Sequence, residues 1–274
     1  MVLKQIAPKL RRALPQDDVF ALWRHCFPGK ENESCFHLSY RPEKTFVFAD
    51  SQRVYSMLHM EIHAVMLMGK SVAMGYFFGI GTHQDYRRQG YAGWLLEQAM
   101  FECYLRNIPI ASLIPCSEQV ISCYSKHGFR QLAHRYVCTP AHQGQFAKEG
   151  DIPYLSRMYQ EAFPNRVERT DRAWRRLLRE YTVNLTHDGY QAGYGTHVLE
   201  QVPIALPQMP HQLSACVRVT KADTLCGMFP EIGLQGHGID KGAPWNNKTA
   251  CPGGKSIEEI FFSHVGLYIN LLHN

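Results

Sequence analysis

The stretch YRRQGYAGWLLEQAM, Tyr86–Met100, follows a nearly unbroken apolar run, SVAMGYFFGIGT at Ser71–Thr82. The run reads as a strand covered on both faces. Ala92, Leu95, Leu96, Ala99 and Cys103 then recur at helical spacing. A strand that ends in a glycine loop and feeds a helix at once suits an anion, because successive backbone N–H groups point outward and the helix dipole adds partial positive charge. Gly90 removes a side chain, and Arg87 and Arg88 add cations able to grip phosphate in bidentate fashion. Neither G-x-x-x-x-G-K-[ST] nor G-x-G-x-x-G is present. What remains is [RQ]-x-x-G-x-[GA], filled by Arg87, Arg88, Gln89, Gly90, Tyr91 and Ala92. Alone, those six residues fit a helix N-terminus with solvated arginines equally well.

Upstream, DVFALWRHCF (18–27) reads as a short amphipathic helix, and TFVFAD (45–50) and RVYSMLHMEIHAVML (53–67) read as strands. Downstream, IPIASLIP (108–115) is a buried strand. SEQVISCYSKHGF (117–129) is a helix with Ser117 as N-cap, Val120, Ile121 and Tyr124 on one face, and Gly128 as its stop. Alternating strands and helices imply a mixed α/β sheet. Past residue 136 the chain becomes polar and turn-rich. Two helices are expected from near Asp151 and Thr170, with a hairpin around Asp188-Gly189. From Val202 onward, prolines and glycines punctuate short strands, and a final helix is expected over SIEEIFFSHVGLYINLL.

The 274 residues carry a formal charge of +5 without a dominant basic run, which argues against nucleic acid. The nine cysteines are scattered and form no C-x-x-C pair, as expected of reduced thiols in a cytoplasmic protein without a metal site. No apolar stretch is long enough to cross a bilayer, and the N-terminus lacks an apolar signal core.

Two separated motifs carry a family resemblance. GIGTHQDYRRQGYAGWLL resembles the cofactor motif of the GNAT acyltransferases, in which this loop cradles the pyrophosphate of acetyl-CoA. One strand and one helix later, LIPCSEQVISCYSKHGF is similar to that family's closing segment, with Tyr124 four residues before Gly128-Phe129. VYSMLHMEIHAVMLMGKSV ahead of YFFGIGT looks like the branch containing the enhanced-intracellular-survival (Eis) acetyltransferases, although the chain is short for that branch. The resemblance implies an α/β (α+β) architecture in three parts. These are a GNAT domain with a mixed central sheet at 1–135, a degenerate second GNAT-like unit without a phosphate loop at 136–201, and a small sterol-carrier-like region at 202–274.

The chemistry implied is acetyl transfer from acetyl-CoA, as co-substrate, to a primary amine of a small molecule or peptide. The backbone of Ile80, Gly81 and Thr82 would bind the pantetheine arm, and Arg87 to Gly93, with Gln89, Gly90, Tyr91 and Ala92 between, the pyrophosphate. Ser117 would contact pantetheine or serve only as a cap. Tyr124 is the candidate general acid for the departing sulfur, because a phenol is protonated at neutral pH. The carboxylate of Asn274 is the candidate base, by analogy with the branch. His59, Glu61 and His63 share one strand face and are a second possibility for handling the amine. A homo-oligomer is compatible with these readings. The rival reading is a non-catalytic acyl-CoA-binding module.

Overall fold

The computed structural model describes residues 16–50, 53–133, 136–137, 144–194, 197–202, 211–212, 215–220 and 228. In chain order the elements are α1 (Gln16–Cys26), α2 (Lys30–Ser39), β1 (Thr45–Ala49), β2 (Val54–Leu67), β3 (Lys70–Thr82), α3 (Tyr91–Leu105), β4 (Ile110–Leu113), α4 (Glu118–Lys126), β5 (Arg130–Ala133) and β6 (Tyr136–Val137). There follow β7 (Gln145–Phe146), α5 (Ile152–Ala162), β8 (Arg166–Val167), α6 (Asp171–Glu180), β9 (Thr182–Leu185), β10 (Tyr190–Tyr194), β11 (His197–Val202), β12 (His211–Gln212) and β13 (Ala215–Val219).

The long β2–β3 hairpin is the spine. Met68 and Gly69 both have positive φ (48° and 76°), the two-residue turn that matches the right-handed twist of paired strands. The main sheet runs β1-β2-β3-β4-β13-β5, with β8 added on the outer edge of β2. Among the described residues only β3 and β4 are parallel; the connection between them is α3, as a crossover requires. α3 buries Leu95, Leu96, Ala99, Met100 and Cys103 on one sheet face against Leu58, Met60 and Phe77. α1 and α2 cover the other face, where Val19, Leu22, Trp23 and Phe36 close over Val54 and Met57. α1 carries Asp17 and Asp18 in its first turn and Arg24 and His25 in its last, as the helix dipole favours.

β13 lies between β4 and β5, antiparallel to both. Its residues fall in the region expected to resemble a sterol carrier, yet here they complete the central sheet. Arg218 is almost fully buried and donates hydrogen bonds to the carbonyl of His127 and to the sulfur of Met100. One side chain thus ties β13 to the end of α4 and to α3.

β7, α5, α6, β9, β10 and β11 form a second layered unit, the antiparallel sheet β11-β10-β9-β7 with α5 and α6 packed on it. Arg169 grips the buried Glu200 through two bonds of 2.6 Å, and Tyr190 donates to the same carboxylate at 2.7 Å. The guanidinium also lies 4.2 Å from the ring centre of Tyr159 and 4.9 Å from that of Trp174. Removing one partner from such a buried pair costs about 3–5 kcal/mol, because the other charge is left uncompensated. Beyond Val202 the expected sterol-carrier-like region lies outside the described residues except for β12, β13, Thr220 and Met228, and the final helix lies wholly outside them.

His59 is 2% exposed among Trp23, Phe36, Tyr40 and Phe78. The Thr45 hydroxyl donates to the Arg41 carbonyl, so at 2.9 Å it must accept from His59 Nδ1. Nε2 then holds a lone pair with no partner among the described residues. Burial pushes this imidazole down to about 3, so it is neutral in the fold and unavailable as a base.

Two predictions follow from this packing. Since the unfolded chain binds a proton at His59 below its ordinary value of 6.5 and the native chain does not until about 3, stability falls as the pH drops through that window. The loss is about 1.4 kcal/mol per unit. Denaturant melts of His59→Phe should therefore lose about 2 kcal/mol less between pH 6.5 and 5 than the parent does; an unchanged pH dependence would refute the assignment. Gly79→Ala should lower Tm markedly without changing the midpoint's pH dependence. Its φ is +56°, and an added Cβ would sit 2.3 Å from the Trp23 ring and 2.7 Å from His59. A parent-like melt would show that the packing around Gly79 is looser than described.

Candidate active site

β3 and β4 pair only from Met74↔Ile110 to Phe77↔Leu113. β4 ends there, while β3 runs five residues further to Thr82, still bonded to β2 on its other side. The backbone of Phe78–Thr82 therefore faces an opening with no strand partner on the β4 side among the described residues. A bulge drives the divergence. Met57 pairs with Gly81 and His59 with Phe78, so two β3 residues, Gly79 and Ile80, oppose Leu58 alone. Bulges bend and twist the strand that carries them. Gly79 can take its positive φ and admit the Trp23 ring only because it has no side chain. Ile80 packs on the α3 core. Ser56 bridges the strand end, donating to the Gly81 carbonyl at 3.0 Å and sharing a 2.9 Å hydroxyl contact with Thr82.

From Thr82 the chain makes a single 3-10 turn, Gln84–Tyr86, and enters the crook that precedes α3. Arg88 and Gly90 have φ of +63° and +85°. Alternating left- and right-handed residues turn successive amides toward one point. The amides of Arg88 through Gly93 find no acceptor among the described residues. The helix dipole adds its positive end at the same place. Arg87 donates through Nε to the Thr82 carbonyl at 3.2 Å, and Arg87 to Gly90 are all exposed. At Gly90 a Cβ would meet nothing, so its conformation, not crowding, calls for glycine there. Tyr91 stacks its ring on Phe48 (4.3 Å, 20°) and donates to Gln89. Ala92 is partly buried. Gly93 has a packing reason of its own: a Cβ would lie 2.8 Å from the His127 ring. His127 in turn meets Glu97 at 3.0 Å and holds its carboxyl below the usual range, tying α3 to the end of α4.

Ser117 occupies the N-cap position of α4 in extended conformation, but its side chain makes no capping bond and is exposed. The expected cap is absent, and the hydroxyl is free to meet a ligand. Tyr124 is partly buried in the α3 core beside Phe129 (6.4 Å, 66°). Burial pushes its phenol well above the ordinary value, and Cys116, Cys123, Cys216 and Tyr76 add in the same direction. Those neighbours belong to β3, the β4–α4 connection, α4 and β13.

The sequence-derived residues thus fall into two adjoining groups. Ile80 to Thr82 and Arg87 to Gly93 form a continuous edge and crook, and Ser117 and Tyr124 belong to the helix that follows the partner strand. Asn274 lies outside the described residues. Of the three residues sharing a strand face, His59 is buried, whereas Glu61 and His63 remain partly accessible and 3.6 Å apart. His83 stacks on His25 at 4.1 Å. Sequence reading passed over Tyr76, which lies between His63 (6.0 Å) and Phe78 (5.7 Å), and over the bulge, although glycines inside an apolar strand are a bulge signal.

Residues 15–132 match the family model described as the acetyltransferase (GNAT) domain. Among solved structures, a GCN5-related N-acetyltransferase from Anabaena variabilis is 17% identical, with a TM-score of 0.57 over 77% of this chain and 72% of that one. One from Kribbella flavida is 15% identical, with a TM-score of 0.59 over 76% and 69%. Eis1 from Mycobacterium abscessus is 14% identical over 67% and 52%, and its TM-score of 0.48 is too low to place the chain beside it. At these identities the likenesses speak for the fold alone. No curated protein matches the chain. Residues 15–132 are accordingly a GNAT acetyltransferase domain, an acyltransferase unit of the class that uses acetyl-CoA as its co-substrate.

Proposed function

We propose that the chain is an acetyl-CoA-dependent N-acetyltransferase whose acceptor is a primary amine on a small molecule or peptide. One observation carries this reading: the edge Phe78–Thr82, unpaired on the β4 side among the described residues, leads through one 3-10 turn into a crook whose amides find no acceptor among those residues. An extended pantetheine arm can add to the edge as a strand would, and a diphosphate can accept from the crook. Ile80, Gly81 and Thr82 take the first role, Arg87 to Gly93 the second, and the free hydroxyl of Ser117 meets the arm.

Acetyl-CoA supplies an activated carbonyl. The amine nitrogen forms a bond to that carbon, the carbon–sulfur bond breaks, the amine gives up a proton, and the sulfur gains one. Holding both reactants together lowers the barrier by avoiding the entropy of a bimolecular encounter. Tyr124 donates the proton to sulfur; its raised phenol stays protonated at every working pH. We assign deprotonation of the amine to the carboxylate of Asn274 by resemblance. The same resemblance carries the Eis-like branch, the second GNAT-like unit over 136–201 and, β13 apart, the sterol-carrier-like region over 202–274, while the scattered cysteines carry a cytoplasmic setting. No helix among the described residues is long and apolar enough to cross a membrane.

The rival reading, a module that binds acyl-CoA without turnover, is separated by two substitutions. Tyr124→Phe should lower kcat by about 10²-fold or more while the calorimetric Kd for CoA stays within about twofold. Gly90→Glu should raise that Kd at least about tenfold, because it places a carboxylate and a disfavoured φ at the anion crook. CoA binding without turnover on any amine would leave the module; no CoA binding by folded protein would remove both readings. The rate on a simple amine should climb with pH as the amine deprotonates, without a falling limb below about pH 10. A falling limb near pH 8 would exclude Tyr124 as the acid.

A further inference from the structure

On the α1–α2 side of the sheet, β2 loses its outer neighbour. β1 pairs with it up to His59, and β8 begins at Val65. The gap between them opens into a cavity of about 710 Å³, walled by α2 and β2 on one side and by the start of α6 on the other. Five cationic residues line it: Arg41, Lys44, Arg172 and Arg176, and Arg169, whose charge is taken up by Glu200. Lys44 and Arg172 make no ion pair among the described residues. Arg176 binds Glu180 through Nε at 2.7 Å, but one of its terminal nitrogens is buried with no partner. Opposing them are Glu61, which faces His63, and Glu168, which accepts from Ser71. Between the charges, Leu38 and Ile62 are 49% and 44% exposed and also line the cavity. The walls therefore combine excess positive charge with an apolar floor.

This cavity adjoins the proposed chemistry through one ring. Tyr76 pairs in register with Glu61 on one side and with Ser112 of β4 on the other, one pair before β3 and β4 part, and stands 6.0 Å from His63. The opening between β3 and β4 lies two strand spacings to the side of the outer edge of β2 and starts at Phe78, two residues along β3 from the partner of Glu61, a separation of about 10–12 Å.

We propose that the acceptor of this acetyltransferase is an amine that carries an acidic group, carboxylate or phosphate, about 10–12 Å from its nitrogen across an apolar spacer, with Lys44, Arg172 and Arg176 anchoring the acid and Leu38 and Ile62 contacting the spacer. This rests on the transfer reaction proposed above. It also separates the chain from enzymes that take polycationic acceptors, since a second ammonium group would be driven into a cluster of guanidinium groups.

A chain-length series tests it. ω-Amino acids from β-alanine to 8-aminooctanoate, the matching aminoalkylphosphonates, octylamine and 1,8-diaminooctane are offered with acetyl-CoA, and thiol release is followed. The expected result is a kcat/KM that rises with spacer length toward eight carbons and exceeds that of octylamine at least tenfold, with the diamine poorest. The better of the carboxylate and phosphonate series identifies the acid. The double variant K44E/R172E, shown to be folded by its Tm, should raise KM for the acidic acceptor at least tenfold with kcat within twofold. Equal or better use of octylamine or the diamine, or an unchanged KM in the double variant, overturns the proposal while leaving the acetyltransferase reading intact. If CoA binds but no amine is acetylated, the transfer reading fails. Calorimetry with octanoate and octylphosphonate then decides the cavity alone: binding abolished by K44E/R172E sustains an anion site, and no binding to the parent removes it.

Discussion

Everything in the proposed site depends on two parallel strands that stop being parallel. β3 and β4 share four register pairs and then part, because β3 carries an extra residue opposite Leu58. Without that bulge the hydrogen bonds of Phe78–Thr82 would be taken up by a neighbour, and a ligand would find a closed sheet. The bulge is itself held by packing on both sides. Trp23 fills the space that a side chain at 79 would need, and the imidazole of His59 stacks against Phe78 just beneath. The apolar cluster of α1 and α2 is thus more than a lid on the sheet. It fixes the strand geometry on which the edge depends, and in doing so it leaves one imidazole nitrogen without a partner among the described residues. A locally unfavourable contact is tolerated where the surrounding structure over-determines it.

The parts legible in the sequence were those written in a short period. Strands β2 and β3, α3 with its five-residue buried stripe, and the start of α6 near Thr170 all follow from local pattern. α2 was not legible. Of KENESCFHLS only Phe36 is fully buried and Leu38 is turned outward, so no apolar stripe exists to be read. Ser117 stands at its cap position yet makes no capping bond, since position alone does not set the side chain's direction. His59, Glu61 and His63 looked equivalent because alternation places them on one face. They differ because α1 and α2 cover only the first of them, a fact of tertiary packing that no local pattern carries. The crook before α3 was legible because it is local, a few backbone amides and a glycine. The cavity beside β2 was not, since its cations come from segments more than a hundred residues apart.

The two layered units also differ in how they place charge. In the second, Arg169 and Glu200 are buried together and neutralise one another, with Tyr190 completing the carboxylate's shell. Such a pair specifies geometry more than it adds stability. In the first, Arg218 is buried against carbonyl and sulfur acceptors, where it fastens one strand in place. Around the cavity between the units the balance changes, and cations outnumber the acids that face them. Surfaces evolved only for docking one unit on another would pair those charges across the seam.

The insertion of β13 between β4 and β5 has a consequence for how the molecule is made. During synthesis the chain emerges from its N-terminal end, and domains tend to fold as they appear. Here the first sheet cannot close until residue 219 has left the ribosome, after the whole of the second layered unit. Until then β4 and β5 present open edges to the cell, the sort of surface that invites pairing with other chains. The second unit is therefore in effect a long loop between two neighbouring strands of the first. Its early, independent collapse would shorten the search that brings Val217 to Ser112 and Arg130.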